Sequence, residues 1–212
     1  VGKIIDITVP FSTDLPLWPG DPAPSMDYMK CMAGGYRCNV TRLETGVHFG
    51  THLDAPCHFI EGKKGVDELD LNVLVGTCTL IEIPDVQKIE VADLEACKIK
   101  KGTERLLIKT YNSHYWSQPA HEFRKDYSAI TADAAAWIVD FGIKLIGIDY
   151  LSIQLFDDQV STTHLVLLDA EVIIVEALDL RFAEPGNYRL TCLPMKLVGA
   201  DGAPVRALIE KE

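Results

Sequence analysis

The stretch His48-Phe49-Gly50-Thr51-His52-Leu53-Asp54-Ala55-Pro56-Cys57-His58 decides how this chain reads. Three of the chain's six histidines fall in it, together with one aspartate. His48, His52, Asp54 and His58 lie an even number of residues apart, and along a strand even spacing projects side chains to one face. A fully extended segment would separate His48 from His58 by ~33 Å, too far to share one site. The chain must therefore turn between them. Gly50 and Pro56 supply the bends, and both argue against a continuous helix. The segment reads as a strand entering a tight loop that gathers imidazole and carboxylate groups round one centre. Such groups are ligands for zinc and for manganese-like ions. Ligands from one loop could build a closed structural site or an open catalytic one, and the lack of cysteines at matching spacing favours the catalytic one. Cys57 stands at odd spacing and reads as packing.

Working outward, short β-branched runs alternate with helical stretches. Strands are expected at Lys3–Val9, Asn39–Val47, Val73–Ile83, Arg105–Thr110, Lys144–Ile148, Glu171–Glu176 and Asn187–Val198. Helices are expected at Val91–Cys97 and Thr131–Phe141, the second with Thr131 as N-cap and Gly142 as stop, and a shorter one after Ser161-Thr162-Thr163. Pro10–Pro24 and Asn112–Lys125 read as long loops, the kind that form lids or binding walls. His114 and His121 fall in the second loop and read as loop residues. No repeat and no Gly/Ser linker divides the chain. The pattern predicts one α/β domain over residues 1–212 with a mixed sheet.

The 212 residues include 20 Lys and Arg against 31 Asp and Glu, a formal net charge of −11. That balance argues against nucleic acid and anionic membrane surfaces as partners, because affinity for phosphates comes from basic residues. Six cysteines without a CxxC pair predict reduced thiols in a cytoplasmic protein. Val1–Pro10 has a single lysine and too short an apolar run for a secretory leader. Leu165–Leu180 is interrupted by four acidic residues and cannot span a membrane. No GxSxG elbow and no glycine-rich phosphate motif occurs, so serine hydrolase and nucleotide chemistry lack support.

His48-x-Gly50-Thr51-His52-x-Asp54-x-Pro56-x-His58 resembles the signature of the metal-dependent cyclase family, whose members include bacterial kynurenine formamidases (arylformamidases) and isatin hydrolase. The resemblance extends along most of the chain. Ile5-Asp6-Ile7-Thr8 and Trp18-Pro19-Gly20-Asp21-Pro22 are similar to its opening strand and loop. Gly147-Ile148-Asp149 with Ser152, then His164 and Glu176, are similar to its second ligand segment. Pro185-Gly186-x-Tyr188 and residues 199–207, from Gly199 to Ala207, are similar to its C-terminal end. One departure lies at Tyr150-Leu151-Ser152-Ile153-Gln154, where formamidases of the family tend to carry Pro-Ser and an aspartate.

The resemblance implies a swivelling β/β/α fold, assembled as a homodimer or homotetramer. It implies two divalent metal ions per subunit, zinc first and manganese second. His48, His52 and Asp54 would hold the first, Asp54 would bridge to a second completed by His164, and Glu176 would bind at the pair. His58 would be the general acid/base, and Trp18 would line the pocket for a small aryl amide. The activity implied is hydrolysis of N-formylkynurenine to kynurenine and formate by metal-activated water. Two alternatives stay open: a relative acting on a cyclic amide or other small carbonyl compound, and a non-catalytic metal-binding protein.

Overall fold

The computed structural model describes residues 2–117, 122–158 and 160–211. In chain order the strands and helices are β1 (Ile4–Asp6), β2 (Ser25–Lys30), β3 (Val40–Glu44), β4 (His52–Asp54), α1 (Leu71–Leu74), β5 (Val75–Ile83), β6 (Lys88–Ile89), α2 (Val91–Ala96), β7 (Arg105–Thr110), β8 (Ala129–Ile130), α3 (Ala132–Phe141), β9 (Leu145–Ile148), α4 (Thr162–Asp169), β10 (Ile173–Glu176), β11 (Gly186–Pro194) and β12 (Gly202–Lys211). The main sheet has eight strands in the order β1-β12-β11-β5-β7-β9-β10-β4, and β4 pairs back onto β12. The sheet is therefore mixed and closes into a barrel. Strands β5, β7, β9 and β10 run parallel, and the remaining pairings are antiparallel.

Closure removes the exposed edges of a sheet and splits each strand's side chains between two cores. Inside the barrel, Leu53, Leu80, Leu107, Leu145, Val175, Leu190, Ala203 and Ile209 pack together. The alternate residues Ile81, Leu106, Ile108, Ile146, Ile148 and Ile174 face outward and meet Leu94 of α2, Ala134, Ala135 and Ile138 of α3, and Leu167 and Leu168 of α4. Continuous apolar runs such as Leu106–Ile108 and Leu145–Ile148 follow from this, because a strand covered on both faces has no polar side to show. Gly147 leaves room for the packed core: a Cβ there would stand 2.6 Å from Leu178 Cδ1 and 2.7 Å from Leu107 Cδ2.

Helix α3 begins and ends where the sequence places it. The Thr131 hydroxyl accepts from Ala134 N at 3.3 Å, and Gly142 takes a left-handed φ of 94°. Elsewhere the expected bounds shift. The strand expected at Asn39–Val47 is Val40–Glu44. It pairs with β2 in a separate two-stranded ribbon, exposed along nearly its whole length, and not in the main sheet. Residues 45–51 turn instead, with Gly50 at φ +71°. The run expected from Val73 begins with the last turn of α1, and the run expected to reach Val198 ends at Pro194. Strands β2 and β12 were not predicted as strands.

Asp149 directly follows β9 and is fully buried. Its carboxylate accepts from Thr110 N at 2.8 Å, Thr110 Oγ1 at 2.7 Å, Ser113 N at 3.0 Å and Ser113 Oγ at 2.6 Å. These bonds clamp the start of the 3-10 segment Tyr111–Ser117 to the sheet. Asp149 does not line the metal cavity described below, so its part is to hold the loop. Asp149→Ala strands four donors, two of them buried main-chain N–H groups, and is expected to cost about 3 kcal/mol. Urea unfolding with an unchanged m-value is the measurement that checks this.

Candidate metal centre

Strands β4 and β10 run antiparallel with His52 opposite Glu176 and Asp54 opposite Ile174. Leu53 and Val175 point into the barrel, so His52, Asp54 and Glu176 must point out of it, toward α4. Helix α4 brings His164 over the same spot, and Pro56–His58, a 3-10 turn with proline at its start, brings His58. His48 comes from the turn before β4. Even spacing along one strand thus applies to His52 and Asp54 alone. His48 and His58 reach the centre because the chain bends at each end of β4.

The side chains converge closely. His52 Nε2 lies 3.3 Å from Glu176 Oε2 and 3.5 Å from Asp54 Oδ1. His164 Nε2 lies 3.4 Å from Glu176 Oε1 and 3.9 Å from Asp54 Oδ2. His48 Nδ1 lies 2.9 Å from Asp54 Oδ1, and its Nε2 lies 2.8 Å from Asp201 Oδ2. The His58 ring stacks on the His48 ring at 3.9 Å. Among the described residues, two groups have ligand atoms close enough for one cation: His52, Asp54 and Glu176, all buried, and His48, Asp54 and His58. Asp54 belongs to both. The grouping differs from the one implied by the resemblance, which joins His48 to His52 and leaves His58 outside the ligands.

The backs of these side chains are held from outside. His52 Nδ1 donates to Gly50 O at 2.9 Å, which fixes the tautomer with Nε2 as the bare nitrogen. His164 Nδ1 lies 3.3 Å from Gln154 Oε1. Glu176 Oε1 accepts from Ile153 N at 2.7 Å. Among the described residues, the buried side-chain polar atoms without a hydrogen-bond partner are His52 Nε2 and Asp54 Oδ2. Both face the centre. A buried orphan acceptor costs roughly 1–3 kcal/mol, and a cation is the partner that would satisfy two at once. The donor set, imidazole nitrogen and carboxylate oxygen, suits a divalent metal.

The electrostatics agree. Burial opposes ionisation of Asp54, but the His48 hydrogen bond and the nearby imidazoles outweigh it and hold the carboxyl below the ordinary range. Burial likewise opposes ionisation of Glu176, and the field of Asp54 adds to that, yet the contact with His164 holds its carboxyl down. Burial works against charge on His48, and its two carboxylate partners push it up to about 9. Burial lowers His58.

A cavity of about 360 Å³ opens onto the centre, lined by His48, His52, His58, His164 and Glu176 on one side and Trp18, Asp21, Phe59, Leu151, Ser152 and Ser161 on the others. Trp18 meets Phe123 edge-on at 5.1 Å and Phe156 at 5.6 Å. His114 is exposed, stacked on Tyr111, and outside the cavity lining. His121 lies outside the described residues. Cys57 packs against the barrel core and donates to Ala200 O, in keeping with its reading as packing. Gln154, Asp201 and Gly202 went unassigned in the sequence. Their signal was faint: Gln154 marked the departure from the family pattern, and Asp201-Gly202 lay in its C-terminal match.

Gly202 lies opposite Asp54 in the β4–β12 pairing. A Cβ there would stand 2.6 Å from His48 Cε1 and 2.9 Å from Leu53 O. Leu53 O is main chain and cannot yield, so His48 must move. Gly202→Ala is expected to weaken metal binding about 10- to 100-fold, read by competition with a fluorescent chelator.

The "Putative cyclase" (Cyclase) family model matches residues 5–154. A "Cyclase-like protein 3" from Oryza sativa subsp. japonica is 38% identical over 99% of this chain and 80% of its own length. A "Kynurenine formamidase" from Bacillus mycoides (strain KBAB4) is 37% identical over 97% of this chain and 96% of its own length. Among solved structures, a "Potential Metal-Dependent Hydrolase With Cyclase Activity" aligns over 100% of both chains with a TM-score of 0.86 and 32% identity. Isatin hydrolase A from Ralstonia solanacearum aligns over 99% of this chain and 92% of its own with a TM-score of 0.83, and at 21% identity it shares the fold. The chain belongs to the cyclase family.

Proposed function

We propose that this protein is a metal-dependent amide hydrolase of the arylformamidase type, cleaving N-formylkynurenine to kynurenine and formate, a step in tryptophan catabolism. The observation that carries the reading is the buried pair of unpartnered ligand atoms, His52 Nε2 and Asp54 Oδ2, at the floor of a cavity with an aromatic wall. The 37% identity to kynurenine formamidases over nearly their whole length supports the substrate.

His48, His52, Asp54, His164 and Glu176 would hold two divalent ions, with Asp54 shared. Zinc is the first choice for such a donor set and manganese the second. When bound, such an ion supplies a water of lowered pKa and a polarised carbonyl. The protein's own residues do the rest. His58, at the cavity edge, takes the proton from the attacking water as its oxygen joins the formyl carbon. It returns that proton to the aryl amine nitrogen as the C–N bond breaks. Trp18 packs on the aryl ring, itself held by Phe123 and Phe156. Asp54 and Glu176 bring two negative charges to the floor, and the cations that balance them reverse the local sign.

We also read the protein as a cytoplasmic homodimer or homotetramer. Met26, Tyr28 and Leu43 share one exposed face of the β2–β3 ribbon, and a lone two-stranded ribbon is marginal by itself. Among the described residues no disulfide forms and no helix is long and apolar enough to cross a membrane.

Chelation should abolish turnover of N-formylkynurenine, and zinc or manganese should restore it. With the metal in place, N-formylkynurenine should exceed isatin and simple aryl formamides in kcat/KM. Failure to hydrolyse any of the three with either metal would sink the reading. His58→Ala should retain its metal and lose about 10²- to 10⁴-fold in kcat. A variant that keeps full activity removes His58 from its role.

A further inference from the structure

Asp201 stands on the loop before β12, far in sequence from the ligand motif, yet its Oδ2 lies 2.8 Å from His48 Nε2 and 3.3 Å from His58 Nδ1. We propose that Asp201 is a positioning residue for the hydrolysis: its carboxylate receives the Nδ1–H of His58 and leaves Nε2 as the nitrogen that exchanges the proton. This rests on the reading of His58 as proton carrier given above.

The contact is built, not incidental. Ala55 N donates to Asp201 O at 2.8 Å, Val66 N donates to Ala200 O at 2.9 Å, and Gly199 N donates to Asp67 Oδ1 at 2.8 Å. Gly199 takes a left-handed φ of +70°, which lets the loop double back at that point. Gly202 is then locked into the β4–β12 pairing. The Asp201 side chain is thus offered from a loop tied on both sides to the segment that carries His58.

Stacking does not do this work alone. The His58 ring lies against His48 at 26° and meets the edge of Phe59 at 4.4 Å. Those contacts set the plane of the ring but not which nitrogen faces which way, because the last torsion of histidine is broad and roughly two-fold. A hydrogen bond to one nitrogen breaks the tie, and it also selects the tautomer. Among the described residues, Asp201 is the carboxylate in ion-pair contact with His58, 3.3 Å from Nδ1. The pair is not deeply buried, with side chains 26% and 47% exposed. Exposed pairs add little to stability, so replacing Asp201 should leave the fold intact. The same oxygen also touches His48, a proposed ligand, so the test must separate a lost orientation from a lost metal.

The metal-loaded wild type, Asp201→Ala, His58→Ala and the double variant are compared for kcat and KM on N-formylkynurenine and for metal per chain. The imidazole ¹⁵N spectrum of the metal-free protein at mildly alkaline pH reports the His58 tautomer without reference to activity. Asp201→Ala should lower kcat about 10- to 100-fold with its metal retained, and KM should stay within about twofold because ground-state binding is untouched. The double variant should be no slower than His58→Ala, since the two residues act as one unit. The wild-type spectrum should show His58 protonated at Nδ1, and Asp201→Ala should lose that bias. Unchanged kcat, activity regained with excess metal, additive losses in the double variant, or wild-type protonation at Nε2 each overturn the proposal. If the wild type turns over no aryl formamide, the hydrolase reading fails separately, and the tautomer alone decides whether Asp201 orients His58.

Discussion

The register between β4 and β10 is the constraint on which the site depends. His52 faces Glu176 across an antiparallel pair, and the intervening Leu53 and Val175 fill the barrel. Side chains on a strand alternate strictly, so a slip of one residue would bury both ligands in the apolar interior and turn two large hydrophobic groups out toward α4. Register is therefore held by the hydrophobic effect on one face while the other face collects polar ligands. The same three-residue strand also pairs with β12, which closes the barrel. The element that completes the fold and the element that carries the candidate ligands His52 and Asp54 are one and the same.

Bringing His52, Asp54, His164 and Glu176 out of water carries a large desolvation cost, and buried charges are tolerated only when paired and hydrogen-bonded. Here the pairing is one-sided by construction. Gly50 O, Ile153 N, Gln154 Oε1 and Asp201 Oδ2 each contact one polar atom of His52, Glu176, His164 and His48 from behind. The front atoms of His52 and Asp54 remain without partners. A hydrogen-bonded core network would satisfy all of its members, because a half-satisfied one is worse than an apolar core. A network satisfied everywhere except toward one point is the arrangement expected of a cation site.

The strands of the closed barrel were legible where both faces are covered, because a short apolar run such as Leu145–Ile148 has few other readings. Helix α3 was legible because its cap residues carry their own chemistry. The ribbon strand β2 was not: Ser25–Lys30 mixes Met, Tyr, Asp and Lys, and its partner β3 looked like part of the main sheet since alternation says nothing about which sheet a strand joins. Strand β12 was obscured by Gly202 and Pro204 at its start, which lower strand propensity, although closure of the barrel supplies pairing on both its edges. At the site, residues close in sequence were found by spacing. His164 and Glu176 came through the family pattern, since each alone reads as a helix-start histidine or a strand-end acid. Asp201 lies 153 residues from His48, and no local periodicity could report that contact.

The segment Tyr150–Gln154, where the chain departs from the formamidase pattern, ties the two halves of the site together. Tyr150 packs at 4.8 Å on Tyr127 and at 6.2 Å on Phe123, in the aromatic cluster that backs Trp18. Two residues later Ser152 lines the cavity, Ile153 N then holds Glu176, and Gln154 reaches His164. The aromatic backing of the cavity and the orientation of the candidate ligands thus both involve five consecutive residues. A substitution that reshapes the wall by moving this main chain will also move the hydrogen bond to Glu176. Changes confined to the Trp18 loop can alter the wall and leave the ligands in place. On this scaffold the cavity wall can thus change through Trp18 and Asp21 without touching the groups that contact Glu176 and His164, whereas residues 150–154 serve both.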